Sequence, residues 1–278
     1  IMNRLGRWID FDNAYKTMDT NYMSKLWEVF NIIYSQGLVY ESRKVMPYSV
    51  SCGTPLSNFE ASNNYKTVTD ISAFVKFKCV NSDYYFLIWT TTPWTLPANY
   101  NIAINPDFKY VIIMVNDEQY VIAHNRIEYF SDIIKCDKVV ILIEINGTDL
   151  IGQQYIPIYN DVSEFDSTHI HKIVGHNDIT DTSGTGLVHL APTFGELDYN
   201  ICKINIPYDH TDINGIIYNT HTISEFNDIV LSNSAIVCKY SYEHQYPYCW
   251  RSDTPLIYKA VTCWFIRVSS ITKELIQA

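Results

Sequence analysis

The chain has 278 residues, of which 47% are hydrophobic and 18% charged, and its formal net charge at pH 7 is -10. This apolar content is enough for a packed core and argues against a disordered chain. No long uncharged apolar run occurs, and the first residues show no basic region followed by an apolar stretch, so we expect neither a membrane span nor a signal peptide. The negative charge argues against a free-standing nucleic-acid binder, because Lys and Arg supply most of the affinity for phosphate groups. We expect a soluble protein with one large domain and an appendage.

The seven cysteines are an odd number and lack short regular spacings. This suits a reducing compartment better than a disulfide framework and predicts a cytosolic protein. No internal repeat or low-complexity segment is evident. The chain starts at Ile1 rather than Met and stops in what looks like the first turns of an amphipathic helix at 270–276, so we expect a fragment of a larger protein, monomeric by itself.

The first predicted element is a helix. From Thr20, apolar residues recur at helical spacing until Gly37, a plausible terminator. Short β-branched and aromatic runs follow and predict strands at 73–80, 84–89, 110–115, 120–123 and 139–145.

The connections between these strands are short and polar. Those at 81–83 and 116–119 favour antiparallel hairpins over parallel crossovers, which need long helices. Further apolar runs at 187–190 and 235–240 extend the pattern, and another helix is predicted to begin near Gly195. These features predict a β-rich barrel or sandwich.

A polar loop follows the second predicted strand, in the sequence WTTTPWTLPAN at 89–99. Each threonine taken alone is explained by strand propensity. Three hydroxyl groups in a row, followed by two prolines that stiffen the exit, also suit binding of a ribose or an ester carbonyl, because hydroxyl groups both donate and accept hydrogen bonds.

A glycine-rich turn lies in the sequence SGTGLVHLAPTFGELDY at 183–199. It lacks the third glycine of dinucleotide-binding loops and the Gly-Lys-Ser/Thr of phosphate loops, so nucleotide cradling fits poorly. His189 alone reads as a satisfied strand histidine and Asp198 alone as a solvated helix carboxylate, which a position in a first helical turn would keep ionised. Together they suit an α-amino acid, with the carboxylate pairing its ammonium.

Other hydrolytic chemistries find little support. Five histidines cluster in sequence (His169, His171, His176, His189 and His210), but no His-Glu-x-x-His or Cys-x-x-Cys occurs, so no metal site is expected. The absence of Gly-x-Ser-x-Gly makes a Ser-His-Asp hydrolase equally weak.

The segments at 89–99 and 183–199 resemble signatures of the editing insertion of class I tRNA synthetases for isoleucine, valine and leucine. The isoleucyl enzymes of eukaryotic cytosolic type fit best. Four further segments resemble them: GRWIDFDNAYKTMD at 6–19, KVMPYS at 44–49, PLSNFE at 55–60 and YPYCWRSDTPLIY at 246–258.

The resemblance implies an α+β fold centred on a β-barrel, with a helical connecting segment at 1–43, the editing domain at 44–243 and a return segment at 244–278. It also implies hydrolysis of valine misattached to isoleucine tRNA, with valyl-adenylate as a further candidate substrate. The His-x-Gly-His and Lys-Met-Ser-Lys-Ser motifs of the adenylate-forming domain do not occur. Aminoacylation is therefore not expected; ATP and Mg would serve only that absent domain, and editing would need no cofactor.

Residue roles follow from the same resemblance. Asp198 would bind the substrate ammonium and His189 would shape the side-chain pocket. Thr90, Thr91 and Thr92 would surround the terminal ribose and ester carbonyl.

Two further residues complete the expected site. Asn99 would support the threonine wall, and Leu197 stands where relatives commonly have an acidic residue. The partners implied are the 3′ end of isoleucine tRNA, misactivated valine and the rest of the synthetase. Two alternatives stay open: an editing domain of the valyl or leucyl type, and a non-hydrolytic module that positions the tRNA acceptor end.

Overall fold

The computed structural model describes residues 2–6, 8, 10, 12–136, 138–159, 171–202, 227 and 230–277. The chain divides into two compact units, Ile1–Arg43 with Thr262–Ala278, and Lys44–Val261. His169 and His210, considered above as metal ligands, lie outside the described residues. No helix in the described part is long and apolar enough to span a membrane.

The helices of the described residues are α1 (Thr20–Ser35), α2 (Asn58–Ala61), α3 (Ile127–Ile134), α4 (Gly147–Leu150), α5 (Glu196–Cys202) and α6 (Thr272–Gln277). The strands are β1 (Val39–Ser49), β2 (Thr54–Pro55), β3 (Tyr65–Lys78), β4 (Tyr84–Thr90), β5 (Asn101–Ile104), β6 (Lys109–Val115), β7 (Glu118–Ala123), β8 (Val140–Asn146), β9 (Ile173–Gly175), β10 (Leu187–Leu190), β11 (Ile236–Pro247) and β12 (Ile257–Ile266). Short 3-10 turns occupy Met2–Leu5, Pro93–Ala98, His124–Arg126 and Val268–Ile271.

The strands form three sheets with the orders β11-β3-β4-β7-β6-β8, β10-β5-β9 and β12-β1-β2. The antiparallel pairs β3–β4 and β6–β7 confirm both predicted hairpins. A parallel pair, β4–β7, joins the two hairpins side by side. The α+β class is confirmed; the hydrogen-bonded orders of the described strands are open rather than a closed ring.

The central strands of the six-stranded sheet are buried on both faces. Phe74 on β3 and Leu87 on β4 pack with Phe130 of helix α3 on one face. Neighbouring residues on the same strands point the other way and pack against β5, β9 and β10. Because successive side chains of a strand alternate between faces, these runs read as continuously apolar. The sheet β10-β5-β9 is thereby held against the end of β4, where the polar loop begins.

A short repeat corrects the expectation that the chain has none. Residues 47–56 read PYSVSCGTPL and residues 247–256 read PYCWRSDTPL. Both segments form tight turns, and each turn ends at a residue with positive φ, 65° at Gly53 and 56° at Asp253. Five of the ten positions are identical, but the repeat is short and its two copies stand 200 residues apart, so it leaves little signal in the sequence.

Candidate active site

A cavity of about 260 Å³ lies in the unit Lys44–Val261, where the end of β4, the glycine-rich turn, β10 and the start of α5 meet. Its lining residues are Trp89, Thr90, Thr91, Thr92, Thr95, Thr180, Ser183, Gly184, Thr185, Leu187, Val188, His189, Ala191, Phe194 and Asp198. Among the described residues, the lining contains hydroxyl groups, an imidazole and one carboxylate, but no Lys or Arg. A cavity with this composition suits a small polar ligand that carries its own positive charge.

The three threonines differ in how far their hydroxyl groups are committed. Thr90 Oγ1 accepts a hydrogen bond from the backbone N of Thr92 at 3.1 Å and thereby shapes the loop. Thr92 Oγ1 has one weak contact, with Thr90 Oγ1 at 3.5 Å. Thr91 is half-buried, and its hydroxyl group makes no hydrogen bond among the described residues. Thr91 and Thr92 are therefore the members of this trio that can bind a ligand.

A directional chain of hydrogen bonds runs from the core to the threonine loop. The Tyr155 hydroxyl donates to Asn99 Oδ1 at 2.6 Å, and Asn99 Nδ2 donates to His189 Nδ1 at 2.7 Å. His189 Nε2 lies 3.0 Å from Thr95 Oγ1, which itself donates to the Thr92 carbonyl at 2.8 Å. Since Nδ1 accepts, the network assigns the proton of the neutral imidazole to Nε2.

The imidazole of His189 has no free nitrogen. It is buried, and burial lowers its pKa to about 4, so it is neutral at pH 7. With both ring nitrogens engaged, His189 forms cavity wall and fixes the loop, and it is poorly placed to accept a proton from water. Asn99 lies behind it, does not line the cavity, and also donates to the Asn101 carbonyl at 3.2 Å.

Asp198 is the one carboxylate that the described residues contribute to the cavity lining, and it stands in the first turn of α5, as predicted. Its Oδ2 accepts a hydrogen bond from Ala191 N at 2.8 Å. Gly195 makes room for it, because a Cβ atom there would lie 2.5 Å from the Asp198 Cγ. Leu197 is exposed and outside the cavity lining, so the missing acidic residue of the family pattern removes no wall of this cavity.

The pKa of the Asp198 carboxyl is raised above its ordinary value. Burial raises its pKa from 3.8 to about 6, against the opposing effect of backbone hydrogen bonds from Ala191 and Asp198 itself. Desolvation therefore exceeds the favourable effect of the helix turn on the ionised form, but with a pKa of about 6 the carboxyl is still mostly ionised at pH 7. Asp198 has no ion pair among the described residues, so its ionised form lacks a cation.

The glycine-rich turn is fixed by close contacts. Gly186 has φ +77°, and a Cβ atom there would lie 2.4 Å from Ala123 Cβ. Gly184 has φ +61° and lies against the Trp89 ring. Arg126 Nε donates to the Gly184 carbonyl at 2.9 Å. The glycines let the backbone approach β4 and β7 closely, which fits the sequence-based interpretation of this turn.

A second cavity, of about 180 Å³, adjoins the first and shares Thr91 and Thr92 with it. The other lining residues are Val68, Asp70, Trp94, Asn227, Tyr246, Tyr248 and Pro255. The Trp94 ring packs edge-on against Phe194 of the first cavity, with centroids 5.0 Å apart. Asp70 Oδ2 lies 2.9 Å from His244 Nε2. The threonine loop thus separates a polar cavity from an aromatic one.

The predicted residues Thr90, Thr91, Thr92, His189 and Asp198 meet in one cavity, with Asn99 behind it. Sequence reasoning missed Tyr155, Thr95 and Phe194. Thr95 and Phe194 stood inside the two signature segments, whereas nothing local marks Tyr155. In the described part of the chain, no group of three or more His, Cys, Asp or Glu side chains is placed to hold a metal ion.

Comparison with known proteins supplies the family. The model of tRNA synthetases class I (I, L, M and V) matches residues 1–278. The chain belongs to this family. Its sequence is 41% identical to a probable cytoplasmic isoleucine–tRNA ligase of Dictyostelium discoideum, covering 99% of the chain and 28% of that relative. It is 39% identical to the isoleucine–tRNA ligase of Chlamydia pneumoniae, covering 100% of the chain and 28% of that relative. The chain thus spans little more than a quarter of the length of these relatives.

Solved structures similar to the chain include editing domains of cytosolic leucyl-tRNA synthetases. That of P. falciparum has a TM-score of 0.38 and 17% identity, over 47% of this chain and 64% of the other. That of P. knowlesi has a TM-score of 0.37 and 16% identity, over 47% and 59%. Similarity at this level carries no further conclusion.

Proposed function

We propose that the chain is the editing part of an isoleucine–tRNA ligase and hydrolyses valine from misacylated isoleucine tRNA. The observation that carries this proposal is the half-buried Asp198 carboxylate, which has no cationic partner among the described residues and shares a cavity with the Thr91 and Thr92 hydroxyl groups. An unpaired carboxylate in a desolvated site is stabilised by a cationic ligand. The α-ammonium of an aminoacyl ester meets that need.

In this proposal the ester lies between the carboxylate and the threonine loop. Asp198 binds the ammonium, while Thr91 and Thr92 hydrogen-bond the ester carbonyl, the ribose and the attacking water. The water oxygen attacks the carbonyl carbon, and the bond between that carbon and the ribose oxygen breaks. The ribose oxygen takes up the proton that the water loses. His189, neutral and fully hydrogen-bonded, is a positioning residue that holds the Thr92 carbonyl through Thr95.

We assign the terminal adenosine to the second cavity. Thr91 and Thr92 border both cavities, so a ribose at these residues places its base among the aromatic rings and its ester beside Asp198. Tyr246, Tyr248 and Trp94 offer stacking surfaces, which single-stranded bases use for binding. The Asp70 carboxylate can accept a hydrogen bond from an exocyclic amine.

Selectivity is the reason for such a site. A pocket that accepts isoleucine rejects valine only through one missing methylene, worth about 1–3 kcal/mol, and isoleucyl enzymes are the standard illustration of this limit. A smaller hydrolytic pocket that admits valine and excludes isoleucine corrects the error. We propose that His189 forms the wall that excludes the larger side chain.

The context proposed for the chain is a larger cytosolic synthetase. The isoleucine–tRNA ligase relatives are longer, and two of those found, from Dictyostelium discoideum and Arabidopsis thaliana, are named as cytoplasmic. We propose that 44–243 is the editing domain and that 1–43 and 244–278 connect it to the rest of the synthetase. The proposed partner is the 3′ end of isoleucine tRNA, and the chain alone is proposed to be monomeric. The hydrolysis proposed here uses no cofactor.

The test is deacylation of a panel of charged tRNAs by the chain, with the uncatalysed rate in buffer subtracted. We expect release of valine from isoleucine tRNA at least tenfold faster than release of isoleucine from the same tRNA. Faster release of threonine from valine tRNA, or of a misattached amino acid from leucine tRNA, would instead indicate a valyl or leucyl type. Binding of isoleucine tRNA without release of any amino acid would refute the hydrolase and support a positioning module.

A further inference from the structure

Two cysteines face each other outside the proposed editing site, in the two turns of the repeat. Cys52 Sγ and Cys249 Sγ are 3.9 Å apart, which is van der Waals contact. Cys52 is exposed, whereas Cys249 is buried. Neither residue lines the two cavities described above.

The repeat explains why the two side chains meet. The first turn reads Ser49-x-x-Cys52 and the second Cys249-x-x-Ser252, so cysteine and serine exchange positions between the copies. Both turns close with the same backbone bonds, Gly53 N to Ser49 O at 2.9 Å and Asp253 N to Cys249 O at 2.8 Å. Because the two turns face each other, each contributes one thiol to the contact between them.

The surroundings of Cys249 favour a thiolate. Burial by itself would raise the pKa of the thiol, but hydrogen bonds from the Ser252 and Ser49 hydroxyl groups and from the backbone N–H groups of Ser252 and Arg251 lower it to about 6. At pH 7 Cys249 is therefore largely a thiolate, which is the nucleophilic form of a cysteine. It is held in contact with the sulfur atom of an exposed residue, Cys52.

The donor set is unsuited to a structural zinc ion. Such sites use four cysteine or histidine ligands, whereas this centre offers two thiols and two hydroxyl groups. No described group of three or more His, Cys, Asp or Glu side chains could complete it. The chemistry left to the pair is oxidation.

We propose that Cys52 and Cys249 form a peroxide-sensitive pair that closes to a disulfide. A hydroperoxide oxidises the exposed Cys52 thiol to a sulfenic acid and is itself reduced, to water in the case of hydrogen peroxide. The Cys249 thiolate then attacks the Cys52 sulfur, the S–S bond forms, and the sulfenic oxygen leaves as hydroxide, which takes up a proton to become water. Two thiols lose two electrons and one peroxide gains them. The new bond ties together the two turns that bracket most of the unit Lys44–Val261.

The test treats the 278-residue chain with hydrogen peroxide, alkylates the remaining thiols and digests it with trypsin without reduction. Cleavage after Lys44 and Lys66 isolates Cys52, and cleavage after Lys239 and Arg251 isolates Cys249, each as the single cysteine of its peptide. We expect a disulfide-linked pair of these two peptides, and titration of the unfolded oxidised chain should find five of the seven thiols.

Single substitutions separate the two steps. Cys249→Ser should abolish the linked pair and let dimedone, a reagent for sulfenic acids, label the peptide of Cys52. Cys136→Ser, at a partly exposed cysteine elsewhere, should leave the cross-link unchanged. Oxidation of both cysteines to sulfinic or sulfonic acids without linkage, or linkage of Cys52 to another cysteine, would overturn the proposal. Near-ultraviolet circular dichroism verifies that each variant is folded.

Discussion

Asp198 should limit the stability of the chain at neutral pH. Its folded pKa of about 6 exceeds the ordinary 3.8, so the folded state binds the proton more tightly than the unfolded state. The resulting stabilisation is complete below about pH 3.8 and disappears as pH rises through about 6. Since each pKa unit is worth about 1.4 kcal/mol and the carboxyl is partly solvated, we expect Asp198→Asn to raise the free energy of unfolding by about 1–2 kcal/mol at pH 7.5.

The measurement is urea unfolding of both proteins at about pH 4.5 and 7.5. The advantage of Asp198→Asn should be clearly smaller at the lower pH, where Asp198 is protonated in the folded chain, and it should vanish below about pH 3.8, where the unfolded chain is protonated as well. A matched pair of proteins is needed because His189 changes stability in the opposite direction. Its lowered pKa makes stability fall as pH drops from about 6.5 through about 4. If Asp198→Asn were less stable than the unmodified chain at pH 7.5, the ionised carboxylate would already be stabilised by other groups in the folded state.

His189 should remain neutral, with its proton on Nε2, across the physiological pH range. Burial holds its pKa at about 4, and Asn99 Nδ2 donates to Nδ1. Long-range nitrogen–proton correlation spectra of the labelled imidazole between about pH 5.5 and 8 test this. We expect constant shifts typical of the Nε2–H tautomer. A titration centred near pH 6.5, or a proton on Nδ1, would show that Nδ1 of His189 does not accept a hydrogen bond from Asn99 in a buried site.

The glycine-rich turn is the element whose conformation the site depends on most. Gly186→Ala places a Cβ atom 2.4 Å from Ala123 Cβ on a residue with positive φ. We expect a loss of about 2–4 kcal/mol, the sum of backbone strain and overpacking. In an Ala123→Gly background the overpacking disappears and the same substitution should cost about 1–2 kcal/mol. Equal costs in both backgrounds, measured by urea unfolding, would place the turn away from β7.

Elements whose signals are local were predictable from the sequence. Helix α1 begins at Thr20 as predicted and ends at Ser35, just before Gly37, whose φ is +70°. Both hairpins followed from short polar connections. Strand β3 begins at Tyr65 rather than 73, because its first half alternates between exposed and half-buried residues and lacks the continuous apolar run used to find it. The parallel pairs β4–β7 and β5–β9 join distant segments and left no local signal.

At the scale of the whole molecule, family signature segments located the cavity, but they could not assign the work of each residue. Thr90, Thr91 and Thr92 are equivalent in sequence, yet Thr90 holds the loop while Thr91 faces the cavity uncommitted. The neutral state of His189 depends on Asn99 and, through it, on Tyr155 from another part of the chain. Such roles arise from tertiary contacts and burial, which a single sequence does not specify.

In the proposed function, Asp198 binds the α-ammonium of the amino acid to be removed. The most direct test compares hydrolysis of valyl-tRNA(Ile) with that of its analogue in which a hydroxyl group replaces the amine, using the unmodified chain and Asp198→Asn. A charge-assisted contact is worth about 1.5–3 kcal/mol, so the unmodified chain should prefer the valyl ester roughly tenfold to a hundredfold in kcat/KM, and Asp198→Asn should lose that preference. An undiminished preference in Asp198→Asn would show that the ammonium binds elsewhere and would refute this role of Asp198.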